Sequence, residues 1–382
     1  MRKSVLTRRI IAAIASAGLA VALSACGSSA SSGSSTAQSS AAGATTGKIT
    51  SIAWGDAIDA DPQYKAMGDS FVKSAEALGI KVYRFDNAAD AATSISNARL
   101  MVQEKPDVII DYSGIASANA EIGSIFTAAK IPCVALNLPI PGCSQFGFSQ
   151  QQLGTDVGTA LGQAILAKGW TGGNTTLIDA WSPMYGQDVN YSQSYLYSAL
   201  AKALPQWKQV SGADIPLTAT SEGSHAVFVN GDGDLQTTNT VVAQALQDIP
   251  SSQNVIVSVF NHNSALGAQQ ALIAAGRKSW VIVGSGPNAA EIQSIQTNPH
   301  WLMSADFFFT AWPKYALAMA YALHAGVKLP ALTESAIQAT TKGNVNTYYN
   351  SAGLLKAAPP LPAPDADLVP YLKEVGGAVP TS

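Results

Sequence analysis

The chain has 382 residues, of which 47% are hydrophobic and only 12% are charged, and its formal net charge is −3. An acidic chain without a basic cluster argues against a DNA- or RNA-binding function. The part that remains after the N-terminal segments described next is too long for one comfortable hydrophobic core, so we expect two lobes.

The first 25 residues predict an export signal. Four basic residues within the first nine positions precede an apolar run over residues 10–23, and small residues follow. This order is typical of a secretory signal peptide, and the run is shorter than the roughly 20 apolar residues that cross a bilayer. Residues 23–26 (Leu-Ser-Ala-Cys) resemble a bacterial lipobox, which predicts cleavage before Cys26 and its lipidation. The pair Arg8 and Arg9 leaves open whether the general or the twin-arginine route exports the chain.

Residues 26–47 predict a flexible tether between the lipid anchor and the folded part. They are nearly all Ser, Ala, Gly and Thr, and such a segment buries too little apolar surface to offset its ordering entropy. Cleavage leaves 18 basic and 25 acidic residues, a net charge of −7. We therefore expect a folded part that begins near Lys48 and is held outside the cytoplasm, in the cell envelope.

Two cysteines remain besides Cys26. Cys133 and Cys143 are close in sequence, and an exported chain lies in an environment where disulfides persist. A disulfide between them would stabilise the fold by roughly 2–4 kcal/mol. Two free, buried thiols are the alternative interpretation.

Strand-like and helix-like segments alternate along the whole chain. In the first half, strands are predicted at residues 49–54, 81–85, 107–111 and 132–137, and helices at 62–78, 89–103, 118–130 and 150–168. In the second half, strands are predicted at 175–181, 225–230, 254–260 and 280–284, and helices at 188–204, 235–249, 264–275 and 289–296. Continuous apolar strands between helices indicate parallel sheets covered on both faces. The sequence predicts two similar α/β halves in series.

Polar and aromatic side chains follow these strands. They occur at residues 54–64, 111–114, 137, 181–190, 261 and 284–288. In open parallel sheets, ligands lie beyond the carboxyl ends of the strands. Two such edges that face each other would form a ligand-binding cleft.

Five segments occur in an order and at a spacing that resemble one family. They are residues 60–64 (ADPQY), 131–137 (IPCVALN), 261–268 (NHNSALGA), 281–284 (VIVG) and 341–345 (TKGNV). They resemble the ribose-type periplasmic binding proteins over residues 48–349. The resemblance implies two Rossmann-like lobes with parallel sheets and a three-strand hinge, the type I periplasmic binding fold. It also implies a monomer without cofactor or metal that captures a sugar for a membrane permease of an ABC importer.

The N-terminal sequence patterns and the resemblance together predict the following domain limits. Residues 1–25 are the signal peptide and 26–47 the tether, 48–149 plus 309–330 form the N-terminal lobe, and 150–308 plus 331–382 form the C-terminal lobe and tail. Hinge crossings are expected near residues 148–149, 308–310 and 328–333.

The sequence departs from the family at positions where sugar binders usually carry charged groups. Asn137 and Leu138 stand where the family has Asp-Arg, and Asn190 stands near an expected Arg. An expected Asp is replaced near residues 285–286, and an expected amide falls among the phenylalanines at 307–309. Each unpaired buried polar group costs roughly 1–3 kcal/mol. The cleft therefore suits a sugar-type ligand held mainly by stacking, or a less polar neutral ligand.

Twelve residues are candidates for ligand contact. They are Trp54, Asp61, Gln63, Tyr64, Asp111, Asn137, Trp181, Tyr185, Asp188, Asn190, Asn261 and Phe308. Each has a structural alternative: the aromatic rings suit a core between helix and sheet, and the asparagines suit loop backbone. Asp61 suits a helix cap before Pro62, and the other two carboxylates suit strand ends and helix starts.

No catalytic motif stands out in the sequence. A P-loop, a G-x-S-x-G elbow, an H-E-x-x-H pair and a C-x-x-C pair are all missing, which favours a binding protein over an enzyme. Two other functions remain open: a ligand-sensing receptor with the same fold, and an exported hydrolase that uses Asp61 with Asp111.

Overall fold

The computed structural model describes residues 48–376 apart from positions 217, 219, 224 and 358. The predicted signal peptide, the lipidation site Cys26 and the tether all lie outside the described residues. Within the described part, no helix is both long enough and apolar enough to cross a membrane.

Helices and strands alternate along the described residues, as the sequence predicts for residues 49–296. The first part of the chain forms β1 (Ser51–Asp56), α1 (Pro62–Ala77), β2 (Lys81–Asp86), α2 (Ala91–Gln103), β3 (Val108–Asp111), α3 (Ala116–Ala129), β4 (Cys133–Leu136) and β5 (Ser144–Gly147). The middle forms α4 (Gln150–Ala167), β6 (Thr175–Trp181), α5 (Gln187–Ala203), β7 (Thr220–Ser221), β8 (Ala226–Asn230), α6 (Leu235–Ala245), β9 (Asn254–Val259) and α7 (His262–Ala274). The last part forms β10 (Trp280–Ser285), α8 (Ala289–Thr297), β11 (Trp301–Asp306), α9 (Trp312–His324), β12 (Leu332–Glu334), β13 (Gln338–Thr341), α10 (Val345–Tyr348) and α11 (Val369–Glu374).

Two sheets define two lobes. The first sheet has the strand order β12-β5-β4-β3-β1-β2, and all its strands run parallel. The second has the order β13-β11-β10-β9-β6-β8-β7, and only the edge strands β13 and β7 are antiparallel to their neighbours. The predicted α/β fold with two lobes of parallel sheet is therefore confirmed.

Helices cover both faces of each sheet because the strands carry apolar side chains on both sides. In β1, Trp54 points to the face covered by α1 and stacks on Phe71, with ring centroids 4.0 Å apart. The next residue back, Ala53, points to the opposite face and joins a separate cluster with Met101 of α2 and Phe126 of α3. The second lobe shows the same division, with Leu177 and Ile178 of β6 in different clusters.

The chain passes between the sheets at three places. It leaves the first lobe after β5, returns after β11, and leaves again between β12 and β13. The third passage lies a few residues after the position expected from the sequence, because residues 332–334 pair in parallel with β5 and extend the first sheet. The segment after β13 contacts both lobes, through α10 against α8 and α11 against α9.

Four aromatic side chains fill the space where the first two passages meet. We call them the hinge aromatic cluster: Phe148, Phe307, Phe309 and Trp312. Phe148 and Phe307 stack with centroids 4.6 Å apart, and Trp312 lies 5.3 Å from Phe309. The indole Nε1 of Trp312 donates a hydrogen bond to the main-chain oxygen of Phe307 at 3.0 Å. The cluster therefore ties the passage after β11 to the first helix that follows it.

A disulfide joins Cys133 and Cys143. Cys133 begins β4, and Cys143 precedes β5, so the bond closes the connection between two neighbouring strands. That connection carries Asn137.

Candidate ligand-binding cleft

The carboxyl ends of the two sheets face a cavity between the lobes. Its volume is about 60 Å³, and a smaller cavity of about 30 Å³ adjoins it, sharing Tyr64, Tyr112 and Asn137. The larger cavity is lined by Asp61, Gln63, Tyr64, Tyr112, Asn137, Phe148, Gln150, Val189, Ser192, Gln193, Phe260, Asn261, Ser285, Gly286, Phe307 and Phe309. Both lobes thus contribute to one site, as expected for parallel sheets that meet at their carboxyl ends.

The start of α1 brings three of the predicted residues to the cavity. Asp61 caps the helix, since its Oδ1 accepts a hydrogen bond from the Gln63 main-chain nitrogen at 2.8 Å, and Pro62 occupies the first helical position. Asp61 both caps the helix and lines the cavity. Tyr64, one turn further, meets Phe309 edge to face at 5.1 Å.

Tyr64 and Tyr112 form the aromatic wall of the first lobe. Their rings lie 5.4 Å apart at nearly a right angle, a favourable geometry for aromatic pairs. Burial raises the pKa of both phenols well above the usual range, so both hydroxyls stay neutral. The wall therefore offers ring surfaces and hydroxyl groups without charge.

Gln63 connects the two lobes directly. Its Nε2 donates a hydrogen bond to the main-chain oxygen of Gly286, at 3.0 Å. Gln63 belongs to α1 on the first sheet, and Gly286 follows β10 of the second. The bond exists only when the lobes are close, so the structure represents a closed conformation.

Asn137 lies at the end of β4 in a left-handed conformation, with φ of 65°. Asparagine tolerates this region better than most residues. The Gln145 side chain donates a hydrogen bond to the Asn137 main-chain oxygen at 2.6 Å, which holds the turn. The disulfide described above closes the same loop, so covalent and hydrogen bonds fix this part of the lining.

The second lobe contributes a stacked pair of rings. The rings of Tyr185 and Phe260 are nearly parallel, with an interplanar angle of 5° and centroids 5.0 Å apart. Asn261, the next residue, caps α7: its Oδ1 accepts from the Ser264 nitrogen at 2.9 Å, and its Nδ2 donates to the Gly233 oxygen at 3.0 Å. The oxygen and the nitrogen of its side-chain amide therefore each already form a hydrogen bond within the protein.

Three predicted aromatics lie in cores rather than in the lining. Trp54 and Trp181 are fully buried, and Phe308 is almost so. Strand alternation turns the side chain of Trp54 under α1 and that of Trp181 toward Phe228. Phe308 has a φ of 52° and packs against Tyr348 instead of the cavity.

Three predicted polar residues also lie outside the lining. Asp111 is buried, and its Oδ1 accepts a hydrogen bond from Asn87 at 2.8 Å. Burial raises its pKa to about 6. Asn190 bonds both main-chain polar groups of Ser182, which holds the loop that carries Tyr185. Asp188 is exposed in the first turn of α5, where a carboxylate suits the helix dipole.

The lining also contains residues that the sequence-based list omits. They are Tyr112, Phe148, Gln150, Val189, Ser192, Gln193, Phe260, Ser285, Gly286, Phe307 and Phe309. Tyr112 and Phe260 each follow a strand directly. The expectation that ligands lie beyond the carboxyl ends of the strands therefore indicates both residues. Ser192 and Gln193 lie inside α5, and no local pattern marks them.

The site carries little charge. Among the described lining residues of the two cavities, Asp61 is the only carboxylate, and lysine, arginine and histidine do not occur. No cluster of three or more metal-ligating side chains occurs in the described part of the chain. Asp61 and Asp111, the pair considered for a hydrolase, do not meet in the lining, because Asp111 is buried beside Asn87.

Two α/β lobes that close over a cavity at their strand ends define a solute-binding protein of the type I fold. The chain belongs to the periplasmic binding protein family: the family's domain, described as a periplasmic binding protein domain, matches residues 56–328. The family resemblance noted in the sequence is thereby confirmed.

Solved structures share this fold at low sequence identity. An ABC transporter solute-binding protein from Mycobacterium smegmatis with bound glycerol is 17% identical with a TM-score of 0.67, and the match covers 81% of this chain and 99% of that one. A periplasmic solute-binding protein from Actinobacillus succinogenes with bound D-allose is 14% identical, with a TM-score of 0.64 and coverages of 78% and 100%. The Caulobacter myo-inositol binding protein is 15% identical, with a TM-score of 0.64 and coverages of 79% and 96%. No curated protein matches the chain significantly.

Proposed function

We propose that the protein is an exported lipoprotein that captures a small molecule of the sugar class and delivers it to an ABC importer. The observation that carries the proposal is the cavity between the lobes, to which both lobes contribute aromatic and amide side chains. The neighbours with bound glycerol, D-allose and myo-inositol support a neutral, hydroxylated ligand.

Capture occurs by closure of the lobes. In an open form, Tyr64 and Tyr112 of the first lobe are separated from Phe260 of the second. A ligand that contacts both sets binds the closed form better and shifts the population toward it. The closed protein then docks on the permease. The protein's own residues bind and enclose the ligand, and no bond of the ligand is broken.

The anchor is the second part of this proposal. Cleavage before Cys26 and lipidation of its thiol would hold the protein at the outer face of a membrane, and residues 26–47 would let the lobes reach the permease. Cys26→Ser should leave the N-terminus without lipid and the signal uncleaved by the lipoprotein peptidase, whereas the unaltered protein should carry the lipid and occur in the membrane fraction. Membrane fractionation and the mass of the N-terminal peptide measure this, and a variant that stays membrane-bound with a lipidated N-terminus would refute it.

The capture function is tested by ligand binding. The purified chain is screened by thermal shift against sugars and polyols, and at about 100-fold over Kd a ligand adds roughly 2.7 kcal/mol of stability. Tyr185→Ala should abolish the shift, since it removes half of the stacked pair in the cleft. Tyr191→Ala is the matched control: this ring packs on Tyr195 and does not line either cavity. Failure of every sugar and polyol to stabilise the protein would overturn the sugar class.

A further inference from the structure

A buried carboxylate lies where the chain returns to the first lobe. Asp306 is the last residue of β11, and Phe307 of the hinge aromatic cluster follows it directly. The Asp306 side chain is 1% exposed, and none of the ion pairs found among the described residues includes it. A carboxylate buried without a cation loses its hydration and depends on hydrogen bonds instead.

Three donors from three segments of the chain hold this carboxylate. Its Oδ1 accepts a hydrogen bond from the Phe308 main-chain nitrogen at 2.8 Å. Its Oδ2 accepts from Oγ1 of Thr340 in β13 and from the hydroxyl of Tyr349 after β13, both at 2.8 Å. Burial raises the pKa of Asp306 to about 6, so at neutral pH the group is mostly ionised and can accept from all three donors. Asp306 thus ties the second passage between the lobes to the strand that follows the third.

The bond from Phe308 holds an unusual backbone conformation. Phe308 has a φ of 52°, in the left-handed region that residues other than glycine and asparagine rarely adopt. The ring of Phe308 packs on Tyr348, whereas the residues on either side of it, Phe307 and Phe309, line the cavity. These two rings meet at 86° with centroids 5.8 Å apart. The conformation of Phe308 therefore decides where two rings of the cleft wall lie.

We propose that Asp306 is a positioning residue for ligand capture: its carboxylate holds the left-handed turn at Phe308, and this turn places Phe307 and Phe309 in the wall of the cleft. Asp306 itself lines neither cavity, so it acts through these rings and not by touching the ligand. This role does not depend on which ligand the cleft takes.

Glycine and alanine at position 308 test whether Asp306 holds the turn. Both remove the ring, but only glycine adopts a positive φ without steric cost. In the otherwise unaltered chain, the unfolding equilibrium constant of Phe308→Gly should be on the order of fivefold smaller than that of Phe308→Ala, measured by urea titration. In chains that also carry Asp306→Leu, which has no acceptor, the turn relaxes and this difference should disappear or reverse.

A fivefold advantage of glycine that persists without the carboxylate would refute the role of Asp306, and so would alanine as stable as glycine in the unaltered background. Asp306→Ala replaces Asp306→Leu in the same comparison if the leucine variant does not fold.

Fluorine NMR reports the position of a cleft ring without a ligand. 4-Fluorophenylalanine is incorporated at position 307, where the ring stacks on Phe148 with centroids 4.6 Å apart. Asp306→Leu should shift its resonance, because the ring leaves this stack. Asp306→Asn should restore the resonance of the unaltered protein, since the amide oxygen still accepts from the Phe308 nitrogen and the two hydroxyls can accept from the amide nitrogen.

Thr340→Val is the matched control. It removes one donor to the same carboxylate and leaves the bond from the Phe308 nitrogen, so it should lower stability without moving the fluorine resonance. Equal shifts in Asp306→Leu and Thr340→Val would show a general loss of packing and would overturn the positioning role.

Affinity connects the turn with capture. The probes are glycerol, D-allose and myo-inositol, which are bound in the structural neighbours. For a probe that binds the unaltered protein, isothermal titration should give a Kd on the order of tenfold higher in Asp306→Leu and unchanged in Thr340→Val. An unchanged Kd in Asp306→Leu would refute a role in capture. If no probe binds the unaltered protein, the proposed sugar class fails, whereas the urea and fluorine results still decide the role of Asp306.

Discussion

Replacing Gln63 with alanine should shift the protein toward its open conformation. The Gln63 side chain forms a hydrogen bond to Gly286 across the lobes, and this bond exists only in the closed form. A hydrogen bond contributes about 1 kcal/mol net, which is about fivefold in an equilibrium constant. The ratio of closed to open molecules without ligand should therefore fall about fivefold, and the apparent Kd should rise as the closed fraction falls.

Single-molecule energy transfer measures the closed fraction directly and needs no ligand. One dye is placed at Ser124 on the first lobe and one at Lys278 on the second, both exposed positions. Gln150→Ala is the control, because it removes another amide that lines the cavity. An unchanged closed fraction in Gln63→Ala, or an equal change in the control, would show that the bond does not hold the lobes together.

Three further predictions concern stability. Burial raises the folded pKa of Asp111 to about 6 from 3.8, so its contribution to stability is full below about pH 4 and is lost as pH rises through 6. When the pH is lowered from 7 to 5, protonation of Asp111 should raise the unfolding free energy by about 1 kcal/mol, and Asp111→Asn should lack this increase. Urea titration at both pH values measures the difference. Replacing Cys133 and Cys143 with serine should lower the unfolding free energy by about 2–4 kcal/mol and weaken ligand binding, since the disulfide closes a loop of the cleft; an unchanged urea midpoint would contradict this. Gly158→Ala should lower the unfolding free energy by about 1–3 kcal/mol, because the added Cβ would lie 2.3 Å from a main-chain oxygen of α5. Gly173→Ala is the control: no atom lies within 4 Å of the added Cβ, so the thermal midpoint should stay unchanged.

The succession of elements could be predicted because it depends on local patterns. The segment expected at residues 175–181 is β6, and the helix expected from residue 62 is α1, which Asp61 caps. The six-residue strand β11 and the 13-residue helix α9 were not predicted. Short strands escaped prediction as well: β5 has four residues and β12 three, and neither differs in composition from a loop. Such strands exist because a neighbouring strand offers free main-chain hydrogen bonds, which is information the segment itself does not contain.

The cleft could be located from the sequence only to the level of strand ends. The expectation that ligands lie beyond the carboxyl ends of strands places Trp54 and Tyr112 equally near the ligand, because both lie at the carboxyl side of a strand. The structure separates them: Trp54 lies inside β1 under α1, while Tyr112 follows β3 and turns into the cavity. The pleat and the helix that covers each face decide between core and lining, and both depend on tertiary packing.

The hinge aromatic cluster gives the protein an intrinsic optical signal. Trp312 is fully buried there, and its indole hydrogen-bonds to the passage that must bend when the lobes move. Rotation of Phe307 or Phe309 changes the polarity and the ring contacts around the indole. Phe307 and Phe309 also line the cavity, so the ligand acts on the same rings that surround the fluorophore. Unlabelled protein should therefore report ligand binding as a change in tryptophan emission, at concentrations far below those that calorimetry needs.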